Sequence, residues 1–135
     1  MPRLSLALPV VLVALASGCT ANPSSSGGFE GEEKNVAEVV DKLGTAGRAG
    51  DAGELCDNVF SKRLREAIAE SGSTCEQEMD KAIADADDFD LDVEDVTISG
   101  TTATAKVSGL VDGKQSVRDI GLVREGADWR VQELG

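Results

Sequence analysis

The sequence predicts an α+β domain in which helices come first and an antiparallel sheet follows. From residue 32 to residue 86 apolar side chains recur at helical spacing, beginning with a stripe at i, i+3, i+4 and i+7 that consists of Val36, Val39, Val40 and Leu43. From Leu91 the apolar period changes to two, as in half-buried strands. Helices followed by strands indicate α+β, so we expect N-terminal helices packed on one face of a curved antiparallel sheet of about four strands.

The first helix has a clear start and a weak end. Glu32 and Glu33 favour its beginning, because the helix dipole is positive there. Gly44, Gly47 and Gly50 are poor helix formers and weaken its end.

Capping signals predict three further helices. Asp51 to Glu54 has the spacing of a capping box and begins a short helix that runs through Val59. Ser61 can cap a third helix, which Gly72 ends. Residues 73–76 repeat the capping-box spacing and begin the last helix, whose apolar face consists of Met79, Ala82, Ile83 and Ala86.

Turn signals divide the second half into four strands. The turns are predicted at Ser99-Gly100, Asp112-Gly113 and Glu125-Gly126. The alternation slips by one residue at Glu94-Asp95, which indicates a β-bulge, and a second bulge is expected near Asp119. One face of the second strand is polar, with Thr102, Thr104 and Lys106. A polar sheet face is a poor surface for pairing two copies of the domain, so we expect a monomer.

The first nineteen residues resemble the export signal of a bacterial lipoprotein. Arg3 precedes an uncharged stretch, Leu4 to Ala16, which is too short to span a bilayer and has the length of a signal-peptide core. Small residues then lead to Cys19, as in a lipobox. The resemblance implies a signal peptide at 1–18, acylation of Cys19 and an extracytoplasmic position on the cell membrane. The alternative is ordinary secretion with a chance cysteine at the cleavage site.

A flexible linker is predicted at 19–31, followed by the folded domain at 32–135. Ser, Gly, Asn and Pro dominate the linker composition, which is typical of a mobile tether. Two or three acyl chains on such a tether would hold a small domain firmly at the membrane.

Two cysteines remain after Cys19. Cys56 and Cys75 form an even pair in a chain expected to be exported, which predicts a disulfide; two free thiols in a helical core are the alternative. We expect no metal site, because the chain has no histidine and these thiols lack the close pairing of zinc ligands.

The domain resembles small bacterial lipoproteins of the NTF2-like superfamily, a cone-shaped α+β fold. The resemblance covers about residues 32 to 134. It rests on Ala49-Gly50-Asp51, the cysteine pair between helices, and the segments 96–105 and 124–131, with the closing Trp129-Arg130-Val131 the most specific of these. It implies a pocket in the cone. It implies no single function, since this fold carries enzymes, adaptors and scaffolds.

Four residues are candidates for that pocket. Ala103 and Ala105 are small enough to leave space between sheet and helices. Asp119 lies in an otherwise apolar strand, so it either points inward as a general base or faces water. Trp129 is either a core anchor or a platform for a ligand.

The residue types argue against catalysis. Catalytic members of the family use Asp with Tyr or with His, and this chain has neither Tyr nor His. We therefore predict a non-enzymatic domain without a cofactor that binds a protein partner or a small ligand. A carrier of a lipid or other hydrophobic metabolite is the alternative, and an isomerase or cyclase is third.

The net charge of the chain excludes one class of partner, nucleic acid. The chain carries 13 basic and 25 acidic residues, a net charge of −12, which argues against nucleic acid. A dense acidic run spans residues 85–95. It is either a solvated surface or a weak cation site, although it lacks the glycine and glutamate spacing of an EF-hand.

Overall fold

The computed structural model describes residues 25–86, 89–111 and 113–135. Four helices are followed by four strands, which confirms the predicted α+β order. The elements are α1 (Gly31–Ala49), α2 (Ala52–Glu54), α3 (Lys62–Ala69), α4 (Cys75–Asp85), β1 (Leu91–Ser99), β2 (Thr102–Val111), β3 (Lys114–Glu125) and β4 (Asp128–Glu133). The predicted signal peptide, Cys19 and most of the predicted linker lie outside the described residues.

The strands form an open antiparallel sheet in the order β1-β2-β3-β4. The predicted bulge is confirmed, since the register of β1 against β2 shifts between Val93 and Asp95. The bulge expected near Asp119 is wrong, because β2 and β3 pair there without a shift and Asp119 lies opposite Lys106. The second irregularity is at Gly121, in the pairing of β3 with β4.

The hydrophobic core lies between α1 and one face of the sheet. We call this face the inner face. Its buried residues are Val93, Val96, Ala103, Ala105, Val107, Ile120, Leu122, Trp129 and Val131. Val36, Ala37 and Val40 of α1 are fully buried in the same cluster. The helical stripe and the strand alternation predicted from the sequence thus meet in one core.

Phe89 explains two of the glycines in α1. The helix continues through Gly44 and Gly47 and ends only where Gly50 takes a left-handed conformation with φ 68°. A Cβ on Gly47 would lie 2.3 Å from Cδ1 of Phe89, and one on Gly44 would lie 3.2 Å from the Phe89 carbonyl oxygen. Gly50 therefore ends the helix, as predicted, while Gly44 and Gly47 lie inside it. Gly44 and Gly47 allow close packing of the segment that leads into β1.

The caps agree with the sequence at two sites and shift at a third. The Asp51 carboxylate accepts a hydrogen bond from the Glu54 amide at 2.9 Å, and the Ser61 hydroxyl accepts one from the Leu64 amide at 3.1 Å. The last capping box lies one residue later than predicted. Thr74 and Gln77 exchange its two hydrogen bonds, which places Cys75 at the first helical position.

The segment between α2 and α3 departs from α-helical geometry. After α2 the chain makes a π-helical turn at Leu55–Val59, with Leu55, Cys56 and Val59 buried. Phe60 then forms a parallel bridge to Val131, and the Ser61 amide donates to the Val131 carbonyl at 2.8 Å. This contact covers part of the outer edge of β4, which limits edge-to-edge pairing of sheets.

The ordered part begins before the predicted domain boundary. Ser25–Gly28 forms a 3₁₀ turn that contacts α1 and β1. Ser26 is buried, and its amide donates to Asp41 Oδ2 at 3.1 Å. Phe29 packs half-buried against the core. The end of the predicted linker is therefore part of the fold, because it supplies an apolar side chain and a helix contact that its polar composition concealed.

Candidate functional site

A cavity of about 370 Å³ lies between α4 and the inner face of the sheet. The helical side contributes Leu43, Leu55, Phe60, Met79, Ala82 and Ile83, and the sheet side contributes Leu91, Val107, Gly109 and Ile120. Phe89 and Leu134 also line it. The cavity exists because α4 contains no buried residue and stands off the sheet, whereas α1 packs directly on it.

The disulfide fixes the wall that α4 provides. Cys56 of the π-helical turn is joined to Cys75 at the start of α4, with a Cα–Cα distance of 6.1 Å. The predicted pairing is therefore present in the structure. Since Cys56 is buried and Leu55 beside it lines the cavity, the bond attaches the half-buried α4 to the edge of the core.

The chemistry of the cavity separates into an apolar interior and a polar mouth. Among the residues that the structure describes, the polar side chains of the lining are Asp85, Ser108, Ser116 and Arg118. Asp85 and Arg118 are the ionisable ones among these, and both are exposed to solvent. The cavity therefore offers contact area to an apolar body and charged contacts only where that body meets water.

The four residues predicted for a pocket do not line this cavity. Ala103 and Ala105 are 5% and 0% exposed and are packed in the core, so they leave no free space. Asp119 is exposed, and the alternation of β3 explains why: its buried neighbour Ile120 points to the inner face. Of the two readings left open for Asp119, the structure shows the one that faces water.

Trp129 acts as a core anchor at the opposite end of the sheet. Its ring is 4% exposed, and its Nε1 donates to Glu32 Oε2 at 2.8 Å. The Arg124 guanidinium lies 5.9 Å from the ring centroid and 3.6 Å from the same Glu32 carboxylate. The cavity instead opens beside the first residues of β1 and β3 and the last residues of β2. Trp129 therefore lies at one end of the sheet, and this apolar cavity lies at the other.

Sequence reasoning did not identify the residues of the mouth. Arg118 shares its strand phase with Ile120, and this signal could have placed it on the inner face. Met79, Ala82 and Ile83 were recognised as one apolar helix face, but that face was not predicted to line a pocket. The periodicity shows which residues share a face and does not show whether the facing element touches them.

A second cavity, of about 410 Å³, is polar. Its lining includes Asn35, Glu38, Lys42, Glu54, Asn58, Asp128 and Arg130, together with Trp129, which is one of the four residues predicted for a pocket. Part of this polarity is satisfied internally, because the Asn58 amide donates to Glu54 Oε2 at 2.7 Å and Arg130 donates to the Asp57 carbonyl at 3.1 Å. The second cavity is therefore the weaker candidate for a small apolar ligand.

The acidic run forms a solvated surface where it is described. Asp85, Asp90, Asp92, Glu94 and Asp95 are exposed, and Asp90 pairs with Arg48 at 3.6 Å. Asp87 and Asp88 lie outside the described residues. Within the described ranges, no three His, Cys, Asp or Glu side chains are grouped so that they could hold a metal ion.

Comparisons with known proteins show similarity in the fold alone. No protein-family model matches the chain, and no curated protein matches it. Among solved structures it is similar to a "putative NTF2-like transpeptidase" from Campylobacter jejuni, with 16% identity and a TM-score of 0.47 over 72% of this chain and 97% of that one. It is also similar to the de novo designed NTF2 fold protein NT-9, with 14% identity and a TM-score of 0.46 over 76% and 82%. The architecture described above is the one that the NTF2-like resemblance implies.

Proposed function

We propose that this protein is a lipid-anchored, extracytoplasmic binding domain whose cone cavity holds a hydrophobic small molecule without transforming it. The observation that carries the proposal is the apolar cavity between α4 and the sheet. Its volume of about 370 Å³ lies in the lower part of the range of small-molecule sites, which is roughly 300–1,000 Å³. Burial of apolar ligand surface there would drive binding at about 25 cal/mol per Å² before the costs of association.

The arrangement of acids and bases favours binding over catalysis. General acid–base chemistry needs a titratable side chain held at the reacting atoms. Asp119 lies on the other face of the sheet, and the charged residues of the lining, Asp85 and Arg118, are exposed at the mouth. With no Tyr or His in the chain, the pairs used by catalytic relatives are also lacking.

The test of binding is native mass spectrometry of the intact protein extracted gently from the host envelope. A bound hydrophobic molecule should add mass that disappears on denaturation. The Ile83→Trp variant, which fills the cavity from α4, should remove the added mass, whereas Arg63→Gln on exposed α3 should keep it. A bare wild-type chain that also fails to take up added hydrophobic ligands would contradict the proposal.

The anchor rests on the sequence around Cys19. Within the described residues, no helix is long and apolar enough to cross a membrane. Acylation of Cys19 would supply the membrane attachment, and the Cys19→Ala variant should then lose incorporation of an alkyne-labelled fatty acid and leave the detergent phase on phase separation. Equal labelling and partitioning of the variant and the parent would refute the anchor.

Docking of a protein partner remains a prediction. The outer face of the sheet is polar at Thr102, Thr104 and Lys106, and all three are exposed. Charge substitutions there should disturb a docked protein and leave a ligand in the cavity bound. Crosslinking in intact cells, comparing the Lys106→Glu variant with the parent, separates the two roles.

A further inference from the structure

We infer that the ligand is a single-chain amphiphile with an anionic head, and that Arg118 at the mouth of the cavity selects the head. This inference rests on the proposed function, since it assigns the chemistry of the molecule held in the same cavity. It depends on the placement of one cation among the apolar lining residues.

Arg118 projects from the inner face of the sheet towards the mouth. It pairs with Val107 across β2 and β3, and Val107 is fully buried on the inner face. Ser116 lies two residues earlier on the same strand face, opposite Gly109, and also lines the cavity. A guanidinium and a hydroxyl therefore stand side by side where the apolar lining ends. Arginine has five N–H donors in a fixed fork that matches a carboxylate or phosphate.

The guanidinium is available to a ligand. Among the described residues, Arg118 takes part in no ion pair and donates no hydrogen bond to a backbone carbonyl, whereas Arg48, Arg124 and Arg130 are all engaged with carboxylates or carbonyls. The side chain is exposed at the mouth, so a bound head group would reach it without a large rearrangement.

Because the rest of the chain is acidic, we expect Arg118 to control whether an anionic head group binds at the mouth. The chain has a net charge of −12, and in the described part of the lining the other charged residue is Asp85, at the end of α4. An anionic head meets repulsion from Asp85 and from the chain as a whole, and meets attraction at Arg118. We therefore expect the two mouth residues to act in opposite directions on an anionic ligand.

The size of the cavity favours a ligand with one alkyl chain over a ligand with two. A volume of about 370 Å³ is near the lower limit of small-molecule sites. Met79 and Ile83 of α4, with Phe89, provide flexible and aromatic surface along it. A medium-length alkyl chain fits this description, and its head can be a carboxylate or a phosphate, since Arg118 binds both.

The experiment compares ligands that share one chain and differ in the head. The full-length protein in host membranes is labelled with a diazirine analogue of dodecanol, and the labelled peptides are mapped by mass spectrometry. Dodecanoate, dodecyl phosphate and dodecanol then compete with the label. For the wild type, at least one of the two anions should compete about tenfold better than dodecanol, because a hydrogen bond to a charged group contributes about that factor. Whichever anion is the better competitor indicates whether the natural head is a carboxylate or a phosphate.

Variants separate recognition of the head from binding of the chain. Arg118→Gln should remove the advantage of the anions and leave competition by dodecanol unchanged, while Asp85→Asn should strengthen competition by the anions. Arg63→Gln, which removes an exposed cation of α3, should behave like the wild type. An equal loss for all three competitors in Arg118→Gln, or no preference for either anion in the wild type, would overturn the inference but leave the proposed function standing. Failure of the label to reach α4 or β3 would overturn both.

Discussion

Breaking the Cys56–Cys75 disulfide should destabilise the domain and loosen the cavity wall in the same experiment. The bond attaches α4 to the buried π-helical turn, and α4 contributes no buried residue of its own to the core. Met79 and Ile83 contact the core only as half-buried side chains. With the covalent attachment removed, little apolar contact remains to hold α4 in place.

The expected loss of stability follows from the length of the closed loop. The two cysteines are 19 residues apart. On the chain-entropy model a loop of this size contributes about 3 kcal/mol to the free energy of unfolding. Because the urea m-value of a small domain is about 1–3 kcal/mol/M, the midpoint of unfolding should fall by about 1–3 M.

Urea unfolding followed by fluorescence of Trp129 measures this loss. Trp129 is the chain's one tryptophan and is buried, so its emission reports unfolding of the core. Hydrogen exchange on the reduced protein should show faster exchange over residues 75–85, while the amides of α1 stay protected. The Cys56→Ala/Cys75→Ala variant is the control, and reductant should leave it unchanged. An unaltered midpoint in protein whose thiols are shown to be free would refute the reasoning.

Three further predictions concern single side chains. Gly47→Ala should be less stable than Gly53→Ala by about 1–3 kcal/mol in urea unfolding, because its Cβ would meet the Phe89 ring at 2.3 Å whereas at Gly53 the nearest atom is 3.6 Å away; equal stabilities would contradict the close contact. Ser61→Ala should cost about 1 kcal/mol through loss of the α3 cap, measured in the same way, and an unchanged midpoint would contradict this role. Asp119→Asn should leave ligand binding in the cavity unchanged in the competition assay, since Asp119 faces away from it; a loss of binding would reopen its role as a site residue.

The fold could be predicted because its signals are local. A helical stripe such as Val36 to Leu43 needs only neighbouring turns, and the bulge in β1 follows from one slip in the alternation around Glu94. The caps at Asp51 and Ser61 are set by residues three positions apart. The cysteine pair could be predicted because the sequence indicates export, and two cysteines in a domain expected to be exported leave a single pairing.

The candidate site could be predicted only in part. A pocket followed from the resemblance, but two of the residues chosen for it were the small ones of β2, Ala103 and Ala105, and these are buried in the core. Asp119 was chosen for its charge within an apolar strand, although the buried Ile120 beside it already determined which way it faces. Arg118 is two residues from Ile120 and therefore lies on the same face of β3. This spacing could have predicted that Arg118 lines the cavity.

By itself, the sequence determined the order of helices and strands, the apolar alternation along the strands and the absence of Tyr and His. These properties depend on residue identity and on spacings of two to four positions. Only the tertiary structure decided that Phe89 packs against Gly47 and that α4 stands off the sheet. It also decided that the cavity between α4 and the sheet opens at Arg118. A cavity is the volume left after elements far apart in the chain have packed. Its position therefore depends on distances between those elements, which no local pattern contains.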